Sequence, residues 1–224
     1  MLLPHLPTAD RPREKLLAQG PRALSDVEVL SVLLGTGGGG RCVLELSGAL
    51  LQRFDGWRGL LDAPCADLVS EPGMGVARFS LLQAAMELAR RHALEELRCA
   101  DVLSSPGRTR HFLQRHLRDP SREVFCCLFL NAQNALISCE DLFHGTLDGA
   151  AVYPRVVLRR ALQVEAAAVI LAHNHPSGVA EPSAADRRIT ERLQAALALV
   201  DIRVLDHIIV GRGSTFSFAE DGLL

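Results

Sequence analysis

The sequence lacks an excess of either charge, and this limits the partners that composition alone can suggest. Its 24 lysines and arginines face 26 acidic residues, for a formal net charge of −2 at pH 7. Nothing in this balance demands a nucleic acid as partner. Lysine is almost absent, since Lys15 is the only one. We attribute this bias toward arginine to genome composition rather than to recognition of a ligand.

The segments that direct a chain to or across a membrane are also missing. The N-terminus does not combine a basic segment with a long apolar run, so we do not expect secretion. No apolar run approaches the roughly 20 residues of a membrane-spanning helix. We therefore expect a reduced, cytoplasmic protein without a membrane partner.

The cysteine spacing of structural zinc sites is missing too. The six cysteines lie at positions 42, 65, 99, 126, 127 and 139. None of them forms a C-x-x-C pair, which argues against a zinc ribbon. Cys126 and Cys127 are adjacent in an apolar run, so their side chains face opposite sides of a strand. We predict that both are small core hydrophobes rather than metal ligands.

The chain divides into a helical first part and a mixed second part. Helical periodicity dominates residues 1–100, with one helix predicted from a cap at Ser25 to a stop at Gly35. Residues 101–224 alternate between strand-like apolar runs and amphipathic helices. The sequence therefore predicts an α/β (α+β) protein with a small all-helical N-terminal domain and a mixed-sheet domain with flanking helices.

The stretch LAHNHPSGVAEPSAAD, residues 171–186, concentrates polar groups after a predicted buried strand. We place the end of that strand just before His173. His173 and His175 are one residue apart, so on extended backbone both rings point the same way and can converge on one ion. Asp186 falls in the first turn of the next helix, where it can supply a third ligand. Two imidazoles and a carboxylate leave one tetrahedral position for water, as in catalytic zinc sites.

A simpler interpretation exists for part of this stretch. Ser183 and Asp186 fit a capping box at a helix N-terminus, which would account for both residues but not for the two histidines. Asn174 makes the loop spell HNH, yet HNH nucleases distribute these letters over a longer motif. The ligand types fit zinc, and iron and manganese stay open as alternatives.

These residues resemble a known signature. H-x-H, seven residues, Ser, two residues and Asp looks like the signature of the JAMM (MPN-type) zinc metalloproteases. HNHPSG, EPSAAD and LDHIIVG resemble more closely the bacterial RadC family, long labelled as DNA repair proteins. The similarity extends from RPREKLLAQGPRALSDVEVLSVLLGTG to DHIIVGRGSTFSFAEDGLL. One departure is Val156, which follows Pro154-Arg155 where such sequences usually carry glutamate.

The resemblance implies a JAMM/MPN-like, zinc-dependent hydrolase domain over 101–224, a metallopeptidase or isopeptidase that cleaves an amide bond. The implied Zn²⁺ ligands are His173, His175 and Asp186. Glu123 would be the general acid/base, and Ser183 would donate a hydrogen bond to the tetrahedral oxyanion. Without the resemblance, Glu123 reads as an ordinary strand-end carboxylate. His207 lies between apolar residues, and we predict a hydrogen-bonded core histidine that supports the site.

The helical domain over 1–100 suggests a rival function. Residues 70–85, SEPGMGVARFSLLQAA, resemble a helix-hairpin-helix, whose turn offers backbone N–H groups to a DNA phosphate. Arg78, Arg90 and Arg91 would add positive charge. A tight turn between packed helices needs the same glycines, so both interpretations stay open. The alternative to a hydrolase of peptides or isopeptides is thus a DNA-binding protein linked to DNA repair or recombination. Its metal site would be structural or act on nucleic acid.

Overall fold

A computed structural model describes residues 6–98, 102, 106–119, 121–145 and 152–224. The chain forms two compact units, residues 1–88 and 89–224. The domain boundary near residue 100 stays a prediction from the sequence. Among the described residues, no helix is both long enough and apolar enough to span a bilayer.

The first unit is built from helices around a leucine-rich core. Its helices are α1 (Pro12–Gln19), α2 (Asp26–Leu34), α3 (Val43–Arg53), α4 (Gly56–Asp62), α5 (Cys65–Val69) and the first part of α6 (Val76–Arg98), with 3-10 turns at Thr8–Asp10 and Pro21–Ala23. Leu30, Leu46, Leu50, Leu60 and Leu82 are fully buried in the core. The helical character predicted for this part of the chain is confirmed.

Helix α2 shows how local sequence fixes these elements. The Ser25 hydroxyl accepts the Glu28 amide N–H at 3.3 Å, and the Glu28 carboxylate accepts the Ser25 amide N–H at 2.7 Å. This capping box satisfies two amide groups that a helix start leaves unpaired. Gly35 ends the helix with a φ of 78°, a conformation that favours glycine. The predicted start and stop of α2 are therefore confirmed.

Helix α4 was not predicted, because glycine is a poor helix former and this helix contains two glycines. The reason for one of them is steric. A Cβ atom on Gly59 would lie only 1.7 Å from the carbonyl oxygen of Phe54, at the end of α3. The close approach of α3 and α4 thus requires glycine at a position where helix propensity alone argues against a helix.

The glycine run after α2 is a packed loop. Gly38 lies so close to Gly73 that a Cβ atom on Gly38 would be 2.8 Å from the Gly73 Cα atom. The Arg78 guanidinium donates to the carbonyl oxygens of Thr36 at 2.6 Å, of Gly37 at 2.9 Å and of Gly73. Arg78 thereby holds two glycine loops of the first unit together, which accounts for this residue without a nucleic acid. DNA as a partner stays a prediction.

The second unit is a five-stranded mixed sheet with helices on both faces. Its elements are α7 (Pro106–His116), β1 (Val124–Leu130), β2 (Leu136–His144), α8 (Pro154–Gln163), β3 (Ala168–Asn174), α9 (Ala184–Ala198), β4 (Arg203–Val210) and β5 (Thr215–Ser217). The strand order is β2-β1-β3-β4-β5. Only β3 and β4 run parallel among these paired neighbours, and α9 connects them. The predicted α+β class is confirmed.

The two faces of the sheet carry separate cores, because successive side chains of a strand alternate in direction. Cys126 faces the core that contains Phe112 of α7. Phe125 and Cys127 face the other core, which α8 and α9 cover. The predicted divergence of the two adjacent cysteines is confirmed, and both are fully buried.

Strand β3 continues two residues beyond the predicted end. His173 pairs with Phe125 of β1 on one side, and Asn174 pairs with Val210 of β4 on the other. The expectation that the loop begins at His173 was wrong, because backbone pairing on both sides extends the strand through polar residues. His175 is the first residue after β3, and its amide N–H donates to the Val210 carbonyl at 3.0 Å.

Asn174 explains the middle letter of the HNH stretch. Its side-chain oxygen accepts the buried Val124 amide N–H at 2.8 Å. Its side-chain amide donates to the carbonyl oxygens of Asp119 and Arg122, both at 3.0 Å. These three bonds fix the segment that leads into β1, where Glu123 lies. The Asn174 side chain therefore binds backbone groups, and it lies on the face of β3 opposite the two histidines.

We expect Asn174→Ala to lower the free energy of unfolding by about 3 kcal/mol, because it leaves a buried N–H and two carbonyls without partners. Asn131 offers a matched control, since its side-chain oxygen accepts two backbone N–H groups in the partly exposed β1–β2 turn. Asn131→Ala should cost about 1 kcal/mol. Calorimetry measures both values, and equal losses would contradict the role given to Asn174.

Candidate metal centre

The three predicted metal ligands come together at the end of β3. The Nε2 atoms of His173 and His175 are 2.9 Å apart. Asp186 places one carboxylate oxygen 3.3 Å from the His173 Nε2 atom and the other 3.4 Å from the His175 Nε2 atom. His173 and Asp186 are buried, and His175 is half-buried. One ligand atom from each residue thus faces a common point.

The predicted capping box is present at the same place. The Ser183 hydroxyl accepts the Asp186 amide N–H at 3.1 Å, and Asp186 accepts the Ser183 amide N–H at 2.8 Å. The two interpretations of Asp186 therefore hold together, since its carboxylate both caps α9 and faces the histidines. Capping fixes the side chain in the orientation that meets the two rings.

A chain of hydrogen bonds sets the tautomer of His173. The Thr190 hydroxyl donates to the Asp186 carbonyl at 2.6 Å, so it accepts the Nδ1–H of His207, also at 2.6 Å. The His207 Nε2 atom then carries a lone pair and accepts the Nδ1–H of His173 at 2.9 Å. This leaves the lone pair of His173 on Nε2, the atom that faces Asp186.

His175 reaches the same state through a backbone group. Its Nδ1–H donates to the Val179 carbonyl at 2.8 Å, so its Nε2 atom also carries a lone pair. Two lone pairs and a carboxylate at these distances repel one another unless a proton or a cation lies between them. The donor set fits Zn²⁺, for which two imidazole nitrogens and a carboxylate oxygen are ordinary ligands.

The pKa shifts follow from this arrangement. Burial opposes ionisation of Asp186, but when a proton takes the place of a cation, its hydrogen bonds with His173 and His175 outweigh burial and hold the pKa of the carboxyl far below its usual range. The hydrogen bond to Asp186 is the main cause of the raised pKa of His175, and the charge of Glu123 adds to it. Burial lowers the pKa of His207 well below its usual value, so this ring stays neutral as the chain of hydrogen bonds requires.

The two predicted catalytic residues lie at the edge of this cluster. Glu123 directly precedes β1, is half-buried, and shares a sheet face with Phe125, the partner of His173. Ser183 is exposed, and its oxygen already accepts one N–H while its hydroxyl proton stays available for donation. Val156, the departure noted in the sequence, lies in the first turn of α8 and is half-buried.

Sequence reasoning missed Thr190. The signal was a hydroxyl four residues after Asp186, on the same face of α9. Its significance depends on His207, which arrives from β4 and meets Thr190 only in the folded unit. The predicted core role of His207 is confirmed, because the ring is fully buried and hydrogen-bonded on both nitrogens.

We expect Thr190→Val to weaken zinc binding by about 10- to 100-fold. Without the hydroxyl, His207 loses the acceptor for its Nδ1–H and favours the other tautomer, which moves the His173 proton onto Nε2. Competition with a chromophoric chelator measures the affinity. Thr109→Val is the matched control, because Thr109 is buried and its hydroxyl has no hydrogen-bond partner among the described residues. Equal zinc affinity in the two variants would contradict the proposed role of the hydrogen-bond chain from Thr190 through His207 to His173.

Comparison with known proteins agrees with this geometry. Residues 103–223 match the model of the RadC-like JAB domain, and residues 3–80 match that of the UPF0758 N-terminal domain. A UPF0758 protein of Nitrosococcus oceani is 54% identical over 224 residues, all of both chains. A UPF0758 protein of Thioalkalivibrio sulfidiphilus is 56% identical over 218 residues, 97% of each chain. The chain therefore belongs to the RadC family of UPF0758 proteins and carries a RadC-like JAB domain.

Proposed function

We propose that this protein is a zinc-dependent hydrolase of the JAMM type, a metallopeptidase or isopeptidase that cleaves an amide bond. The observation that supports it most directly is the convergence of the Nε2 atoms of His173 and His175 and the Asp186 carboxylate around one point. A purely structural zinc usually has four protein ligands, whereas three come together here among the residues that the structure describes. The fourth position would remain open to water and substrate.

The chain's own residues would divide the work of hydrolysis. His173, His175 and Asp186 would hold the ion, whose chemistry would be to activate a water molecule for attack. Glu123 would accept a proton from the attacking water and return it to the leaving nitrogen. Ser183 would donate a hydrogen bond from its hydroxyl to the oxyanion. His207 and Thr190 would keep His173 in the metal-binding tautomer.

The weaker alternative is a DNA-binding protein linked to DNA repair or recombination, with a metal site that is structural or acts on nucleic acid. It predicts free basic groups around the turn before α6, but the Arg78 guanidinium already donates to carbonyls of the first unit. It also gives no reason for a carboxylate at Glu123 beside an open three-ligand site. The hydrolase accounts for both the ligand set and the residue at its edge.

The first test is metal content. We expect zinc-supplied wild-type protein to contain one more equivalent of zinc than either His175→Ala or Asp186→Ala, because each variant removes a ligand. His92→Ala is the control, since His92 is an exposed histidine of the same unit. Elemental analysis on zinc-supplied protein measures the content. Wild-type zinc content in the two ligand variants would refute the site.

The second test separates binding from chemistry. We expect Glu123→Gln to retain zinc but to lower hydrolysis of a peptide or lysine isopeptide by at least about 100-fold, because the amide cannot accept the water's proton. Glu181→Gln is the matched control, since Glu181 is an exposed glutamate in the loop before α9. Fluorescence-quenched substrates report the rate. A cleaved substrate whose hydrolysis rate is unchanged in Glu123→Gln would remove Glu123 from the mechanism.

A further inference from the structure

A second group of metal-ligand side chains lies on the opposite face of the sheet from the candidate metal centre. The group consists of His116, Cys126 and Cys139, and the three ligand atoms, one from each residue, lie within 4.8 Å of one another. Cys126 and Cys139 belong to the core that α7 covers, whereas His173 pairs with Phe125 on the other face. This group is therefore separate from the proposed hydrolase site.

The β1–β2 register assembles the sulfur side of the group. Cys126 pairs with Asp141, and Cys139 is two residues before Asp141, so all three side chains share one face of the sheet. Cys126 is fully buried and Cys139 is half-buried. Neither thiol forms a disulfide among the described residues, and both are therefore available as thiolate ligands.

His116 is held like a metal-binding histidine. Its Nε2 atom lies 2.6 Å from a carboxylate oxygen of Asp141. The other ring nitrogen, Nδ1, is therefore the one that could bind a metal. That Nδ1 atom is buried, has no nitrogen or oxygen hydrogen-bond partner among the described residues, and faces the Cys139 thiol. Stacking on Phe112, with ring centroids 5.3 Å apart, fixes the plane of the ring. Metal-binding histidines commonly donate their other N–H to a carboxylate in this way.

We propose that His116, Cys126 and Cys139 form a second metal site that takes a thiophilic d¹⁰ cation, zinc(II) or copper(I). Soft thiolates with one imidazole select these ions over oxygen-preferring cations. The three ligand atoms lie within 4.8 Å of one another, so small side-chain rotations would bring them to metal–ligand bonds of roughly 2.0 to 2.3 Å. Each cysteine releases its thiol proton to solvent when the ion binds.

Such an ion would join three separate elements. His116 is the last residue of α7, Cys126 lies in β1, and Cys139 lies in β2. Cys126 is buried in the core, whereas His116 and Cys139 are half-buried and Asp141 behind the histidine is exposed. Binding would therefore connect α7, β1 and β2 on the face of the sheet that α7 covers.

Cobalt(II) distinguishes the two sites, because only the second contains sulfur. We expect reduced, metal-free wild-type protein titrated with cobalt(II) to develop a thiolate-to-cobalt charge-transfer band that zinc displaces. In His175→Ala, where the first site is disabled, the band should saturate at one equivalent. Cys126→Ala and Cys139→Ser should lose this band. Cys127→Ala should keep it, because Cys127 is equally buried but faces the other core.

A second experiment, with copper(I), identifies the preferred ion. Competition with bicinchoninate measures whether wild-type protein retains one copper(I) that Cys126→Ala does not retain. Retention of copper(I) without a cobalt band assigns the site to copper, and the reverse result assigns it to zinc. The absence of both signals in wild-type protein, or their persistence in Cys126→Ala, would overturn the proposal.

Asp141→Asn provides a milder variant that leaves all three ligands in place. We expect it to weaken binding of the preferred ion by about 10- to 100-fold while the stoichiometry stays at one. Unchanged affinity would show that Asp141 does not orient the histidine towards an ion. His175→Ala should leave the cobalt charge-transfer band intact, so failure of the hydrolase site and failure of this site give different results.

Discussion

The hydrogen bond between His173 and His207 is the contact on which the candidate metal centre depends. It is fully buried, and it joins the central strand β3 to its parallel neighbour β4 through side chains as well as backbone. Because Thr190 fixes the proton on His207, this contact determines which nitrogen of His173 faces Asp186. The orientation and protonation of the ligand His173 are thus set by His207 and Thr190, neither of which would itself contact the ion.

The sheet supplies the rigidity that this chain of bonds requires. Paired strands flank β3 on both sides, and α9 returns from its end to place Asp186 above the two rings. Asn174 holds the entry to β1 from the other face of the same strand. Alternate side chains of one strand therefore serve the candidate site and the backbone beside it.

Local patterns in the sequence were enough to predict much of this arrangement. The H-x-H spacing, the capping box at Ser183 and the strand-like run of β1 are short-range signals, and the structure contains all three. Glu123 needed the family resemblance, because its proximity to His175 arises from strand pairing that spacing does not encode. The role of Thr190 could not be predicted, because it depends on its hydrogen bond to His207 of β4. Helix α4 could not be predicted either, because the packing of Gly59 against Phe54 overrides the low helix propensity of glycine.

The cysteines illustrate the same limit. Cys126 was predicted to be a core hydrophobe, and its burial agrees with that prediction. What the spacing of cysteines could not predict is the register that places Cys139 and Asp141 on the same face and the end of α7 above them. The proposal of a second ion there rests on contacts between residues that are distant in sequence.

The capping box of α9 has a consequence for the loop before it. His175 and Asp186 are the two ends of a segment that includes Pro176, Gly178 and Pro182, and their side chains meet at the candidate site. An ion held by both residues would close this segment into a ring, much as a crosslink does, and reduce its conformational entropy. Occupancy of the site would then govern the order of the loop that borders Ser183, and with it the susceptibility of this segment to proteolysis.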